Sequence, residues 1–461
     1  MREDKERELP YIRGMVLAAG HGTRLGGLSK ILPKPLLPVC GVPLIRYSLA
    51  HMGEAGLCDV VVNLHHLGDK IKTELGDCGG DFEGFIQKEK LKGENRNIVE
   101  TFGDLENPYV GQGGNGPYGL NLYYSEEKGE ILGTGGGIKK VKDFFGGSTF
   151  VVFNGKIVCT LDIARAVAFH RNMGALATMV LRPEPDPYSW GAVETDGDGW
   201  IQTIAGVSRP EFYGGEGEEK VASEETSGQA SGEATGRISG KTDSKGDAGT
   251  SGNGNGNRNN NGDGNGNNNG NPEDDRVWSN ARTPVKGYVF TGIHIIEPEF
   301  LDILPNGPSC IVRDGYFEHL KKGAPLAGFI HEGYWQDHST LARYVQGNMR
   351  VLDWKSGLFE NTGFPTLNGV QEGAEISDTA TIVEPVLIGK GARIEAGARV
   401  GPGAVIGCGA TVSAGKVVSN SVVWDNVKVT TDAVSAVATP EGIVPVDLSD
   451  MGAKYGPRLR R

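Results

Sequence analysis

The residues best suited to chemistry in this chain lie in two short runs near its start. The run Leu17–Arg24 reads LAAGHGTR and follows an apolar strand signal. Such a passage from strand into small residues and glycines lets backbone N–H groups approach phosphate oxygens closely. Arg24 adds a bidentate cation, and Lys34, in the PKP run, adds a point charge. These residues predict a pocket for several phosphates, although a glycine-rich turn with nothing bound remains the alternative.

The pattern AAGxGTR followed by PKP resembles the signature of sugar-1-phosphate nucleotidyltransferases, and the spacing from Arg24 to Lys34 fits that family. It differs from the P-loop and from the dinucleotide fingerprint. The resemblance implies that a sugar-1-phosphate oxygen attacks the α-phosphorus of a nucleoside triphosphate in line and that pyrophosphate leaves. Arg24 would then hold the β and γ phosphates, and Lys34 would bridge the sugar phosphate and the α-phosphate. One departure is Gly26-Gly27, where the family more often has Arg-Pro.

Further segments follow in the family's chain order. The run LGTGGGI at 132–138 resembles the family loop that lies against the nucleotide base, although tight packing at a helix N-terminus is an alternative. The run YSWGAVE at 188–194 resembles a strand along which the sugar phosphate lies, and FTGI at 290–293 resembles a second sugar-facing strand. The residues implied for the nucleotide are Leu17, Ala18, Ala19, Gly20, Gly22, Thr23, Gly133, Thr134 and Gly135, and those implied for the sugar are Gly191, Glu194 and Thr291.

The metal site that the resemblance implies departs from the family at one position. The run WQDHST at 335–340 resembles the family's WxDxGT turn, whose Asp binds Mg²⁺, so Asp337 is the implied metal ligand. An Asp before Ser or Thr more often caps a helix. Lys156 stands where the family has a second metal-binding Asp, and Asp162, further along the chain, is a candidate substitute for that ligand. We expect Lys156 to act in catalysis, replacing the carboxylate–metal pair electrostatically. The alternative is that Lys156 pairs with Asp337 and closes the site.

The elements that must position these residues alternate between strand-like and helix-like patterns. Buried strands are predicted at about 59–64, 149–153 and 176–181, with helices at about 44–53 and 161–172. This alternation predicts an α/β, Rossmann-like domain with a mostly parallel sheet over residues 11–358. A Gly/Asn-rich stretch at about 211–280 contains almost no large apolar residues, which predicts a disordered insertion.

The C-terminal region has an apolar residue at every sixth position. Gly, Ala and Ser recur between these positions, a pattern typical of a triangular parallel β-helix. We therefore predict a short left-handed parallel β-helix over 366–430, followed by a tail at 431–461, and expect homo-oligomers to form through the β-helix. The repeated positions are Val370, Ile376, Ile382, Ile388, Ile394, Val400, Ile406, Val412, Val418 and Trp424.

Composition limits the functions that the chain can have. The formal net charge of −12 argues against a nucleic-acid or anionic-membrane surface, so phosphates need a local pocket. The start of the chain is densely charged and lacks the apolar core of a signal peptide, and no apolar run is long enough to span a bilayer. The six scattered cysteines include no CxxC pair. Together these features predict a cytoplasmic protein without membrane or nucleic-acid partners.

Three functions compete on this evidence. The first is an active enzyme that resembles mannose-1-phosphate guanylyltransferases, with Mg²⁺ as cofactor and a nucleoside triphosphate and a sugar-1-phosphate as substrates. The second is a catalytically silent or regulatory nucleotide-sugar-binding homologue, which Lys156 favours. The third, acyl transfer in the β-helix, is disfavoured because such enzymes generally use a His as base and no His follows His338.

Overall fold

A mixed sheet with helices on its two faces forms the first part of the fold. The computed structural model describes residues 12–76, 117–210, 286–353, 364 and 367–449, so the predicted insertion at about 211–280 lies outside the described residues. The strands of this part are β1 (Arg13–Leu17), β2 (Pro38–Val39), β3 (Val42–Pro43), β4 (Asp59–Leu64), β5 (Asn121–Glu126), β6 (Phe150–Asn154), β7 (Ile157–Cys159), β8 (Ala177–Arg182), β9 (Val193–Thr195), β10 (Ile201–Ile204), β11 (Val207–Ser208), β12 (Lys286–Ile296), β13 (Leu326–Ile330) and β14 (Trp335–Asp337).

The centre of the sheet is parallel, as the alternating pattern predicted. Strands run in the order β5-β4-β1-β6, and all three of these pairings are parallel. β1 is buried on both sides, which explains its nearly continuous apolar sequence. Because parallel strands end at the same edge, the loops that follow β1, β4, β5 and β6 all emerge there.

The long strand β12 makes the sheet mixed. It runs antiparallel to β9 at its start, to β6 at its end, and to β8 over most of its length. β13 continues the sheet parallel to β8, while β10 and β11 extend the β9 side. The α/β class is therefore confirmed, with an antiparallel return strand inserted into a parallel framework.

The helices begin and end where local sequence signals place them. Asp162 precedes one helix and its carboxylate accepts the backbone N–H of Arg165 at 2.9 Å, so Asp162 is an N-cap. Gly174 ends the same helix with φ 60°, a left-handed conformation that favours glycine. The helices are α1 (Leu28–Ile31), α2 (Leu44–Glu54), α3 (Gly68–Leu75), α4 (Gly133–Lys140), α5 (Ile163–Met173), α6 (Phe317–Lys321) and α7 (Leu341–Asp353).

The C-terminal strands stack into three ladders, as a parallel β-helix requires. The ladders are β15-β18-β21-β24-β27-β28, β16-β19-β22-β25 and β17-β20-β23-β26, and every pairing except β27–β28 is parallel. The strands are β15 (Gly369–Val370), β16 (Glu375–Ile376), β17 (Thr381–Ile382), β18 (Val386–Ile388), β19 (Arg393–Ile394), β20 (Arg399–Val400), β21 (Ala404–Ile406), β22 (Thr411–Val412), β23 (Val417–Ser419), β24 (Ser421–Val423), β25 (Lys428–Val429), β26 (Ala433–Val434), β27 (Ala436–Thr439) and β28 (Gly442–Pro445).

The predicted period of six holds until Val418 and then shortens. Ile406 pairs with Val423, so Trp424 lies one residue outside the ladder. Its buried indole N–H donates to the Tyr344 hydroxyl at 3.2 Å, on α7. The strands also continue to Pro445, beyond the predicted boundary at 430, because the last ladder is extended by the antiparallel strand β28.

The β-helix and the first part of the fold share apolar packing. A single buried cluster joins Leu25, Leu28 and Leu37, which flank the two runs predicted to bind phosphate, to the inward side chains of the β-helix. Tyr344 on α7 donates from its hydroxyl to the Pro38 carbonyl at 2.7 Å. The described part of the chain contains no helix with the length and apolar character that crossing a bilayer requires.

Candidate functional site

The first predicted loop begins where β1 ends and turns tightly. Ala18 and Ala19 are buried, and the Ala18 N–H donates to the Asn63 side-chain oxygen at 2.7 Å. Gly22 has φ 69°, in the left-handed region that favours glycine. A one-turn 3₁₀ helix over Thr23–Leu25 then buries Leu25 and leaves Arg24 exposed. The loop therefore holds a cation outward on a fixed backbone.

Lys34 is held against this loop by a second short turn. It begins the 3₁₀ helix Lys34–Leu36, with prolines on either side and Leu36 buried. A Cβ on Gly22 would lie 3.6 Å from Lys34 Cε, so the lysine stem runs beside the first loop. Burial, with the charges of Lys156 and Arg24, lowers the pKa of Lys34 to about 8. Three of the predicted cations therefore interact electrostatically.

The pairing of two short strands brings Lys156 and Asp337 together. β7 and β14 are antiparallel, with Asp337 opposite Ile157, and the Lys156 carbonyl accepts the His338 N–H at 3.1 Å. The Lys156 ammonium then lies 2.8 Å from Asp337 Oδ2. Lys156 and Asp337 thus form an ion pair at the loop that follows β6, as one alternative reading of the sequence predicted.

Asp337 is also bound on its other oxygen. Its Oδ1 accepts the Ser339 N–H at 2.8 Å and faces the Arg343 guanidinium at 3.3 Å. The Arg343 guanidinium stacks on the Trp190 ring, 4.1 Å from its centroid. Burial alone would raise the pKa of Asp337, but the Lys156 ammonium holds it well below its usual range. The carboxylate is therefore a buried anion between two cations.

The second predicted loop, at 132–138, includes the start of α4 and packs partly against the segment 309–311. Gly133 is exposed with φ 69°, and a Cβ there would lie 2.6 Å from the Ser309 carbonyl oxygen. The Gly135 N–H donates to the same carbonyl at 2.8 Å, and the Thr134 hydroxyl accepts the Ile311 N–H at 3.0 Å. Of this loop, Gly133 is the part at the surface, while Thr134 and Gly135 make internal contacts.

A buried polar network connects the two loops, and sequence reasoning missed it. The Asn63 amide, 2% exposed, donates to Glu127 Oε1 at 2.7 Å, and Glu127 Oε2 accepts the Leu132 N–H at 2.8 Å. Since Asn63 also accepts from Ala18, the network joins the first loop to the second. The sequence signal was a polar residue within the buried run VVVNL at the end of β4.

Of the residues implied for the sugar, Gly191 and Glu194 lie near the Trp190 turn, whereas Thr291 is buried in the sheet. Gly191 has φ 77° and follows a short turn that carries Trp190. Glu194 accepts the Tyr188 hydroxyl at 2.8 Å, and its other oxygen accepts the Thr203 hydroxyl. Thr291 is 1% exposed and its hydroxyl donates to the Val180 carbonyl at 2.7 Å, so this hydroxyl is engaged inside the sheet.

A shallow cleft, open to solvent, adjoins the ion pair. Indole rings, amides and charged groups line it, a combination that can pack on the C–H faces of a polar ligand and bind its hydroxyls. Sequence reasoning did not single out most of these residues. They are Glu184, Trp190, Trp335, Gln336, Asp337, Arg343, Gln346 and Arg350.

Comparison with known proteins gives consistent matches. Residues 13–206 match the family described as "Nucleotidyl transferase". The chain is 26% identical to a UTP–glucose-1-phosphate uridylyltransferase of Synechocystis sp., over 82% of this chain and 74% of that protein. It is 24% identical to a mannose-1-phosphate guanylyltransferase of Mycobacterium tuberculosis, over 83% and 76%. An N-acetylmuramate alpha-1-phosphate uridylyltransferase of Neisseria meningitidis is 30% identical, over 45% of this chain and 71% of that protein.

Proposed function

Because the chain belongs to the nucleotidyl transferase family, we propose that it joins a nucleoside triphosphate to a sugar-1-phosphate. In this reaction a sugar-phosphate oxygen forms a bond to the α-phosphorus. The bond from that phosphorus to the α–β bridging oxygen breaks, and pyrophosphate leaves with the electron pair. No proton has to be transferred, so the protein's task is to position the groups and stabilise their charge.

The observation that carries this proposal is the group of cations at the carboxyl edge of the sheet. Lys34 interacts with the charges of both Arg24 and Lys156, and each residue comes from a different loop. Arg24 is exposed and suits the β and γ phosphates. Lys34 suits the position between the sugar phosphate and the α-phosphate, where it would stabilise the charge that develops in transfer.

The cleft beside Asp337 is our proposed sugar site. Trp190 and Trp335 offer apolar ring surfaces, and Gln336 and Gln346 offer amide groups for hydroxyls. Gly191 and Glu194 are kept in this assignment because they follow Trp190 on the same segment. Thr291 would support the site indirectly, since its carbonyl accepts the Trp335 indole N–H at 3.0 Å.

GTP and mannose-1-phosphate are the substrate pair that we propose. Similarity to the mycobacterial guanylyltransferase over 83% of the chain supports this pair. The similarity to a uridylyltransferase acting with glucose-1-phosphate makes UTP and glucose-1-phosphate the pair to compare directly. We also propose a cytoplasmic location.

A panel assay tests the proposed reaction. The full chain is incubated with each of the four common nucleoside triphosphates and several sugar-1-phosphates, and pyrophosphate release is measured with and without Mg²⁺. Release that requires both substrates supports the proposal, and the strongest combination identifies the pair. Absence of release from every combination contradicts it.

The ion pair of Lys156 with Asp337 also favours a second candidate, a catalytically silent protein that binds nucleotide sugars. The Lys156 ammonium, 2.8 Å from Asp337 Oδ2, neutralises the carboxylate that the family resemblance assigns to the metal. Calorimetric titration with nucleotide sugars distinguishes the two. Tight binding of the product without pyrophosphate release would support the silent homologue.

Self-association through the β-helix is a further part of the proposal. Val370 on the first strand and Val434 on a late strand are both more than half exposed, and we propose that they take part in contacts between copies. Light scattering on the full chain and on a Val370→Asp, Val434→Asp double variant tests this. We expect the variant to have the lower mass.

A further inference from the structure

The immediate surroundings of Asp337 decide what the carboxylate can bind. Both of its oxygens already have partners: the Lys156 ammonium on Oδ2, and the Ser339 N–H with the Arg343 guanidinium on Oδ1. Its side chain is 7% exposed. A further cation would have to displace one of these groups from a nearly buried anion.

This donor set does not fit Mg²⁺. The ion prefers several oxygen ligands in a near-octahedral arrangement, usually one or two carboxylates together with phosphates and water. The position of the second carboxylate is occupied by Lys156, whose like charge repels a divalent ion at this distance.

The same arrangement leaves two organic cations partly exposed around Asp337. The side chains of Lys156 and Arg343 are 21% and 26% exposed, while the carboxylate that anchors them is almost buried. Arg343 is fixed further by its stacking on Trp190. With Arg24 and Lys34, these groups leave three positive charges in excess over Asp337. A polyphosphate would meet this charge on rigid supports.

We propose that this chain binds its triphosphate substrate without a divalent cation held by the protein. Lys156 and Arg343, anchored on Asp337, take the charge-neutralising position, and Asp337 is a positioning residue. The inference rests on the proposed nucleotidyl transfer and specifies how its phosphate site works. A guanidinium also supplies directed donors to phosphate oxygens, which an ammonium alone does not.

Nucleotide binding provides the first test. The affinity of the full chain for α,β-methylene analogues of GTP and UTP is measured by calorimetry, once with Mg²⁺ and once with excess EDTA. We expect the better-bound analogue to have the same affinity within about threefold in the two buffers. A loss of more than about tenfold in EDTA overturns the inference while leaving the proposed function standing. If neither analogue binds in either buffer, the inference and the proposed function are both overturned.

A metal-binding measurement provides the second test and does not depend on activity. Electron paramagnetic resonance of Mn²⁺ follows the free ion during titration with wild type, Lys156→Asp and the matched control Lys156→Gln. We expect Mn²⁺ to bind to Lys156→Asp, which places two carboxylates together, and not to wild type or the control. Wild type that binds Mn²⁺ as tightly as Lys156→Asp overturns the inference. Circular dichroism checks the fold of each variant, and the wild-type result stands alone if a variant fails to fold.

A third comparison separates the anchored cation from a general positive charge. Arg343→Gln is compared with Arg350→Gln, because Arg350 lines the same cleft but donates to Gln336 at 2.8 Å and is not paired with Asp337. In EDTA we expect Arg343→Gln to lose about tenfold in analogue affinity, and Arg350→Gln about threefold or less. Equal losses would contradict the role given to the anchored cation.

Discussion

Single residues determine the electrostatics of this site. Lys156 and Asp337 were singled out by motif, and their pairing was one of two predicted outcomes. Arg343 was not predicted, because only the fold brings a residue on α7 back to Asp337 and onto the Trp190 ring. Asp162 could have been a metal ligand by sequence, yet its side chain caps α5. Residue types therefore indicate which groups are charged, while their partners depend on packing.

Replacing Lys34 with Ala should abolish turnover and leave the fold intact. The lysine is only partly buried, so its loss removes little packing, whereas transfer loses a cation beside the reacting phosphate. We expect a fall in kcat of about 10²–10³-fold. Pyrophosphate release and circular dichroism measure the two effects. Near-normal turnover in a folded variant would show that Lys34 lies outside the phosphate site.

The lowered pKa of Lys34 predicts a pH dependence of nucleotide binding. With a pKa of about 8, caused by burial and by Lys156 and Arg24, the free protein loses this charge as pH rises through 8, although Asp337 opposes the shift. Affinity for the methylene analogue should fall by about tenfold between pH 7 and 9. Lys34→Arg keeps its charge and should show a flat profile. A wild-type profile equally flat in calorimetric titrations would contradict the shift.

The same pKa shift has a consequence for stability. Because the pKa is lowered from 10.5, the folded state releases its proton first, and the unfolded state binds more protons between pH 8 and 10.5. Lys34 therefore contributes a stability that rises with pH over this interval. The free energy of unfolding of Lys34→Ala should lack this contribution.

At the scale of elements, the strands of the parallel sheet were predicted well and their connections less so. β1, β4, β6 and β8 are short, largely apolar runs, and such runs are typical of strands buried on both sides. The antiparallel placement of β12 and the β7–β14 pair are long-range contacts that no local pattern specifies. This pair forms a separate two-stranded sheet and brings Lys156 to Asp337, so the site's central contact depends on a pairing that the sequence does not predict.

Two Asn–carboxylate bonds across β4 and β5 offer a matched comparison. Asn63 bonds Glu127 at the carboxyl end, and Asn121 bonds Asp59 at 3.0 Å at the other end. Asn63→Ala leaves a buried carboxylate and the Ala18 N–H without this partner, at a cost of about 1–3 kcal/mol. We expect it also to weaken nucleotide binding, whereas Asn121→Ala should destabilise without changing affinity. Urea denaturation measures the stability of each variant, and calorimetry measures its nucleotide affinity. Equal affinity in the two variants would contradict the proposal that Asn63 links the two nucleotide loops.

At the scale of the whole molecule, the β-helix packs against the segments that carry the proposed phosphate site. The hexapeptide period predicted its ladders, because each inward position is set by local repeats. The shortened repeat at Val423 and the turn of Trp424 toward α7 were not predicted, since they arise from packing between distant segments. Removal of the β-helix would expose apolar groups that flank the Lys34 loop, including Leu37.

Trp424→Ala tests whether the two parts of the fold unfold together. The indole is 5% exposed, packs in the shared apolar cluster and bonds Tyr344, so its truncation should cost about 3–5 kcal/mol. The exposed Lys428 on β25 is the control, and Lys428→Ala should change stability by no more than about 0.5 kcal/mol. Urea denaturation followed by circular dichroism should give one transition for each protein, displaced to lower urea in Trp424→Ala alone. Two separated transitions in wild type, with just one of them moved by Trp424→Ala, would mean that the β-helix folds independently and does not support the loops that carry Arg24 and Lys34.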